Sequence, residues 1–157
     1  MNFFTKLLLI VFFNFIALNV YTIDMPKDLI VKIIKESENE DDIKSKNLDL
    51  ISVKYSGWIF DKNARTNNYC DAKGKMFDSN IFDTFHHTDA FKFILGKGLV
   101  IKGWDLGLQD MRINEQRCLV IPPHLAYGNR RIGNIIKPNS TLIFEVKLLE
   151  ILKVGKE

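Results

Sequence analysis

The side chains that could support covalent or metal chemistry in this chain are few and stand apart from one another. The three histidines are His86, His87 and His124, and no set of further ligands accompanies the adjacent pair. Because neighbouring side chains diverge, we interpret that pair as part of a solvated loop. No serine lies in a G-x-S-x-G context, and the scattered carboxylates form no acid–base pair. The sequence therefore predicts no metal site, no cofactor and no covalent chemistry.

A group of aromatic side chains around one acid is the most informative feature. Periodicity alone explains Trp104 and Phe144 as hydrophobic core. Two tyrosines and an aspartate among the inner faces are costly to bury unless they are paired, and an apolar cavity with a few oriented polar groups is the usual form of a ligand pocket. We therefore expect a pocket that includes Tyr55, Phe77, Asp78, Phe91, Trp104, Tyr127 and Phe144.

Hydrophobic patterning indicates the elements that must position these side chains. Alternating or β-branched runs predict strands at 29–34, 51–58, 91–95, 117–121 and 141–151, with a short edge strand at 75–78. Apolar residues at three- and four-residue steps between 101 and 112 predict one amphipathic helix of about three turns. The polar stretch 61–74 is predicted to be a long surface loop. This pattern predicts an α+β domain whose helix covers one face of an antiparallel sheet.

Composition bounds the class of protein. The chain has 157 residues, of which 46% are hydrophobic and 26% are charged, as expected for one globular domain. The net charge is +3, and no stretch of the sequence concentrates the positive charge. Nucleic-acid binders usually carry a basic stripe, so we expect no nucleic-acid partner.

The first 22 residues are predicted to be a signal peptide. Lys6 precedes an apolar block, Leu7 to Leu18, that is shorter than the roughly 20 residues of a membrane-spanning helix. Its length matches a signal-peptide core of about 7–15 residues. We predict cleavage near 19–22 and a mature chain of 23–157. The alternative is an uncleaved signal anchor, and only in that case do we expect contact with a membrane. Both alternatives deliver the rest of the chain to the secretory pathway, and we expect it in the endoplasmic reticulum lumen or secreted.

Two further features of the sequence become relevant if the chain lies in the lumen of the secretory pathway. Cys70 and Cys118 either form a disulfide or remain two separate thiols, because the sequence does not give the distance between them. Asn139-Ser140-Thr141 is an Asn-x-Ser/Thr triplet, so Asn139 is a candidate glycosylation site.

Five motifs make the chain resemble a known family. They are VKYSGWI (53–59), GKMFDSN (74–80), FKFILGKGLVIKGWDLGLQDM (91–111), CLVIPPHLAYGN (118–129) and PNSTLIFEVKLLEI (138–151). In this order they resemble the FKBP-type peptidyl-prolyl cis–trans isomerases, and the predicted signal peptide makes the chain similar to the secretory-pathway members. The resemblance implies an isomerase domain over about 28–153, with a bent five-stranded antiparallel sheet wrapped around one short helix. It also implies a pocket that binds proline peptides and macrolides of the tacrolimus and rapamycin type.

The resemblance assigns roles to individual positions. It implies a catalytic set of Tyr55, Phe77, Asp78, Trp104, Tyr127 and Phe144, and a substrate- or macrolide-binding set of Phe91, Val100, Ile101 and Ile136. Leu99 departs from a common Glu or Gln, Ile132 from a histidine of some members, and Lys137 from a common proline. These departures lie at the rim, so they bear on substrate preference and drug affinity.

The function implied is acceleration of X-Pro bond rotation, without covalent catalysis, during the folding of secretory-pathway proteins. We expect a monomer whose partners are proline-containing polypeptides and macrolide ligands. The alternative is a catalytically weak proline-peptide-binding or chaperone module of the same fold. A redox function of the two cysteines is a third hypothesis, and the absence of a C-x-x-C motif argues against it.

Overall fold

The computed structural model describes residues 23–38 and 43–152, so the predicted signal peptide lies outside the described residues. The strands, numbered in chain order, are β1 (Ile30–Lys35), β2 (Leu50–Phe60), β3 (Lys73–Ser79), β4 (Phe91–Ile94), β5 (Gln116–Ile121) and β6 (Leu142–Leu152). The helix α1 (Lys102–Gly107) lies between β4 and β5. Each predicted strand is therefore confirmed, with its ends shifted by a few residues.

The strands form one antiparallel sheet in the order β1-β5-β6-β2-β3. β3 pairs with the second half of β2, from Ser56 to Phe60, whereas β4 pairs with its first half, from Leu50 to Val53. Since β6 occupies the other side of β2, β3 and β4 share one edge position. The expected five-stranded sheet is thus confirmed, with its fifth position interrupted by residues 80–90. β6 lies in the middle of the sheet.

The helix is shorter than the sequence pattern predicts. α1 has six residues and ends at Gly107, so the prediction of about three turns is wrong. The guanidinium of Arg117, from β5, donates hydrogen bonds to the carbonyl oxygens of Gly107, Gln109 and Asp110, which a longer helix would have used internally. Asp110 adopts a positive φ of 56°, and the chain turns away there.

The helix lies close to the sheet because a glycine faces it. A Cβ atom added at Gly103 would stand 2.4 Å from Cγ2 of Ile121 on β5, well inside van der Waals contact. Gly103 therefore has a packing role that outweighs its low helix propensity.

Alternation along the strands separates two hydrophobic clusters. The larger cluster lies on the α1 side of the sheet and includes Trp104, Ile51, Val53 and Tyr55 of β2, and Leu119 and Ile121 of β5. The smaller cluster lies on the opposite face of the sheet and contains Ile23, Phe60, Cys70, Ala72, Cys118, Val120 and Ile143.

The segment 61–74 is not the exposed loop that its polar composition predicts. A 3₁₀ turn at Tyr69–Asp71 buries Cys70, Ala72 is fully buried, and β3 already begins at Lys73. A disulfide joins Cys70 to Cys118 of β5, with a Cα–Cα distance of 6.1 Å. Of the two alternatives for the cysteines, the disulfide is therefore confirmed. The crosslink holds the segment against the smaller cluster.

Among the described residues, no helix has the length and apolar character needed to cross a membrane.

Candidate active site

A hollow of about 300 Å³ opens between α1 and the sheet face that α1 covers. We call it the aromatic pocket, and its lining consists of Tyr55, Phe77, Asp78, Phe91, Leu99, Val100, Ile101, Trp104, Tyr127 and Phe144. All of these except Leu99 belong to the predicted site. The fold therefore brings together residues that lie up to 89 positions apart (144 − 55).

Aromatic rings set edge to face form the base of the aromatic pocket. The Trp104 ring lies 5.1 Å from that of Tyr55 and 5.2 Å from that of Phe144, at interplanar angles of 80° and 83°. Phe77 meets Phe144 at 5.5 Å and 87°. These are the geometries that the ring quadrupoles favour. The mutual support of the rings gives a rigid apolar base.

Trp104 is almost completely enclosed yet still borders the aromatic pocket. The residue is 4% exposed and is part of the lining of the pocket. Within the described residues its indole N–H is buried without a hydrogen-bond partner. Trp104 therefore contributes a flat apolar ring to the base of the pocket, and its unpaired N–H is itself buried.

A glycine in β2 makes room for the rings. A Cβ atom added at Gly57 would stand 2.7 Å from Cζ of Phe77 and 2.8 Å from Cε1 of Phe144. Any other residue at this position would displace one of the two rings. The glycine of the VKYSGWI motif thus has a direct role in shaping the aromatic pocket.

One carboxylate is the polar centre of the aromatic pocket. The hydroxyl of Tyr55 donates a 2.7 Å hydrogen bond to Oδ2 of Asp78. Burial, followed by this hydrogen bond and the negative charge of Asp78, raises the pKa of the Tyr55 hydroxyl well above its ordinary value. Burial and the same carboxylate also raise the pKa of Tyr127. Both phenols therefore stay protonated at neutral pH and remain hydrogen-bond donors.

A second carboxylate shapes the turn that leads into α1. The two oxygens of Asp105 accept hydrogen bonds from the backbone N–H groups of Gly96 and Gly98, at 2.7 and 2.9 Å. Both glycines have positive φ values, of 77° and 69°. This turn fixes the backbone that places Leu99, Val100 and Ile101 at the edge of the aromatic pocket.

Ile136 is the one predicted site residue that does not line the aromatic pocket. It is 4% exposed, and it borders a neighbouring hollow of about 260 Å³. That hollow shares Phe77, Asp78 and Tyr127 with the aromatic pocket. A backbone bridge between Ile136 and Ile132 holds the hairpin-like segment above it. The exposed Asn139 lies outside both hollows, just before β6.

Two residues near the site were not in the predicted catalytic or binding sets, although the motif that contains Leu99 placed it at the rim. Leu99 lines the aromatic pocket although its side chain is 65% exposed. His87 lies on an exposed loop, as expected, but its Nε2 atom is 2.9 Å from Oδ1 of Asp78. The sequence offered one indication that His87 lies near the site: both ends of its segment, Asp78 and Phe91, belong to the predicted pocket. No cluster of potential metal ligands occurs in the part of the chain that the structure describes.

Comparison with known proteins gives consistent matches. The model of the FKBP-type peptidyl-prolyl cis-trans isomerase family matches residues 41–149. The chain is 45% identical over 113 residues to FK506-binding protein 2B of Rhizopus delemar, covering 72% of this chain and 46% of that protein, or about half its length. It is 39% identical over 126 residues to FK506-binding protein 1A of Neurospora crassa, covering 80% of this chain and 92% of that protein. FK506-binding protein 2 of Yarrowia lipolytica is 39% identical to the chain over 117 residues, covering 74% of this chain and 70% of that protein.

Proposed function

The chain belongs to the FKBP-type peptidyl-prolyl cis–trans isomerases, and we propose that its aromatic pocket accelerates X-Pro bond rotation in secretory-pathway polypeptides during their folding. The observation that carries this proposal is the ring-lined hollow with one hydrogen-bonded tyrosine–carboxylate pair, Tyr55 and Asp78, at its side. It matches a reaction that needs neither a nucleophile nor a metal.

Rotation about a proline amide requires the loss of resonance. The barrier is roughly 18–20 kcal/mol, so uncatalysed exchange takes tens to hundreds of seconds. A planar amide carries more charge separation than a twisted one, and water stabilises that separation. A dry apolar site therefore favours the twisted amide over either planar isomer, which is the requirement for catalysis. About 1.4 kcal/mol of such preference gives a tenfold acceleration.

The residues of the aromatic pocket divide this work among them. Trp104 supplies the flat base under the proline ring, and Phe144 and Phe77 exclude water from its sides. The backbone N–H of Ile101, at the start of α1, donates to a carbonyl of the bound peptide. Tyr127, which remains protonated, donates to a second carbonyl. Asp78 holds the Tyr55 hydroxyl and keeps that wall of the pocket in place.

Three observations support a secretory location. The N-terminal sequence has the length and charge pattern of a signal peptide. The disulfide between Cys70 and Cys118 is of a kind that persists mainly in oxidising compartments. Asn139 is exposed and has a positive φ of 60°, so the glycosylation triplet stands on an accessible turn. We therefore propose that the mature chain, 23–157, acts as a monomer in the endoplasmic reticulum lumen or outside the cell.

The relatives are named for FK506 binding, and we propose that this chain also binds macrolides of the tacrolimus and rapamycin type. Such a ligand has a ring that mimics proline, and the aromatic pocket has the apolar lining and the size to hold that ring. The exposed Leu99 replaces a polar rim contact with an apolar one, so macrolide affinity is expected to differ from that of relatives with a polar residue there.

Catalysed cis–trans exchange on a short proline peptide, followed by NMR with and without rapamycin, tests the proposal. We expect exchange to be accelerated and rapamycin to abolish the acceleration. Binding of the peptide without acceleration would instead identify the chain as a proline-peptide-binding or chaperone module of the same fold. Acceleration that persists in saturating rapamycin would place the reaction outside the aromatic pocket.

A further inference from the structure

The carboxylate of Asp78 is held from two sides. Its Oδ2 atom accepts the hydroxyl of Tyr55, and its Oδ1 atom lies 2.9 Å from Nε2 of His87. The side chains of His87 and Asp78 are 47% and 37% exposed, so the contact lies at the mouth of the aromatic pocket. His87, which lies outside the pocket, therefore holds the same carboxylate, Asp78, that orients Tyr55 in the pocket wall.

The loop that carries His87 is tied to the sheet on both sides of this residue. The ammonium group of Lys54 on β2 donates to the carbonyl oxygens of Asn80 and Thr88. The amide of the buried Asn80 donates a 2.9 Å hydrogen bond to the carbonyl oxygen of Asp89. Because these contacts bracket His87, its approach to Asp78 is built into the fold and is not a chance position of a free loop.

Few other ionisable groups surround this contact. Asp78 comes from β3, Tyr55 and Lys54 come from β2, and the segment after β5 contributes Tyr127 and, beyond it, Arg130. The loop itself carries Asp83, His86 and Asp89. Lys54 is engaged by backbone carbonyls, and Tyr55 and Tyr127 have raised pKa values. The histidine is therefore the group facing Asp78 whose residue type changes charge between about pH 5 and 8.

We propose that His87 is a positioning residue of the isomerase site and that its positive charge determines how firmly Asp78 is held for Tyr55. The proposal rests on the proposed function of the aromatic pocket. A charged donor binds a carboxylate more strongly than a neutral one. When the imidazole loses its proton, it holds Asp78 less firmly, so Asp78 turns toward water more often, the Tyr55 hydroxyl is oriented less well, and water enters the pocket more readily. Activity therefore falls as the pH rises.

Solvent exposure limits the size of the effect. Exposed ion pairs contribute little because water and salt screen them, so we expect kcat/KM to fall about two- to threefold between pH 5.5 and 8. The fall should diminish in high salt.

The experiment is NMR exchange on the purified chain with an end-blocked proline peptide that has no titrating group, at pH values from 5.5 to 8. His87→Lys, which keeps a positive charge throughout, should remain at the acid-side rate at every pH. His87→Gln, which is neutral throughout, should remain at the lower, alkaline-side rate. The matched controls are His86→Asn and His124→Gln, which remove the other two histidines and should retain the pH dependence of the unmodified chain.

Two results would overturn the proposal: a pH dependence of unchanged size in His87→Gln, or one that persists in His87→Lys. Failure of the proposed function would look different, because no variant would accelerate exchange at any pH. In that case the carboxyl ¹³C signal of Asp78 supplies the test without any need for activity. It should move between pH 5.5 and 8 in the unmodified chain and stay still in His87→Gln; a signal that moves equally in both would refute the contact.

Discussion

Removing a single oxygen atom, in Tyr55→Phe, tests how the polar centre of the aromatic pocket works. The ring of Tyr55 packs against Trp104, Phe91 and Phe144 at 5.1, 6.2 and 6.4 Å, and phenylalanine preserves all three contacts. The change removes only the 2.7 Å hydrogen bond to Asp78. Its consequences can therefore be attributed to the hydroxyl.

The structure bounds the size of the effect. A hydrogen bond to a charged group contributes about 1.5–3 kcal/mol to stability. Because the side chain of Asp78 is 37% exposed and also contacts His87, water can replace the lost donor, and we expect the lower end of that range. The free energy of unfolding should fall by about 1.5 kcal/mol, and Tm by about 5 °C. If all of this contribution acts on the transition state, kcat/KM falls by about tenfold at most.

Two assays check these values: denaturant unfolding for stability, and NMR exchange on a proline peptide for kcat/KM. Tyr69→Phe is the matched control, because Tyr69 packs in the smaller cluster on the opposite face of the sheet, and kcat/KM should not change there. A kcat/KM unchanged in Tyr55→Phe would refute the role of the hydroxyl. A loss above about a hundredfold would also refute the reasoning, since it would mean that the hydroxyl acts on the substrate directly.

Three further predictions follow from the same geometry. Trp104→Leu should leave the chain folded, at a cost of about 2 kcal/mol for the lost ring contacts, and weaken rapamycin binding at least about tenfold, as measured by titration calorimetry; unchanged affinity would contradict its position at the base of the pocket. Replacing both Cys70 and Cys118 by alanine should lower the free energy of unfolding by about 3–4 kcal/mol in denaturant melts while kcat/KM is kept, because the crosslink lies on the face away from the pocket. The raised pKa of Tyr55 favours the protonated form in the folded state, so stability should be complete below about pH 10 and fall as the pH rises above it. Thermal melts from pH 8 to 11 should show a smaller fall for Tyr55→Phe than for the unmodified chain.

Local patterning was sufficient to locate the elements and most of the site. Alternation of apolar and polar side chains marks the first half of β2 and the middle of β6, whereas β5 is a continuous apolar run, Cys118 to Ile121, that is buried on both faces of the sheet. The motifs then assign nine of the ten lining residues to one pocket, since each motif brings its residues on a strand or turn of defined geometry. Ile136 lies outside the quoted motifs, and the structure places it in the adjacent hollow and not in the lining of the aromatic pocket.

Contacts between distant segments were decided by the tertiary structure alone. Periodicity continues past Gly107, but the buried guanidinium of Arg117 takes the carbonyl oxygens that would extend α1. The composition of 61–74 indicates a solvated loop, yet the crosslink from Cys70 to Cys118 folds part of it onto the sheet. These outcomes depend on groups brought together by pairing of strands that are remote in the sequence.

The amino-acid order by itself determined the family, the sheet and the aromatic set of the site, because these depend on side-chain type at regular or motif-defined spacings. Only the folded chain decided that Cys70 meets Cys118, that α1 stops after six residues, and that His87 reaches the Asp78–Tyr55 pair. The physical reason is that loop conformation is set by contacts such as those of Lys54 with the 80–89 segment, and no local pattern records them.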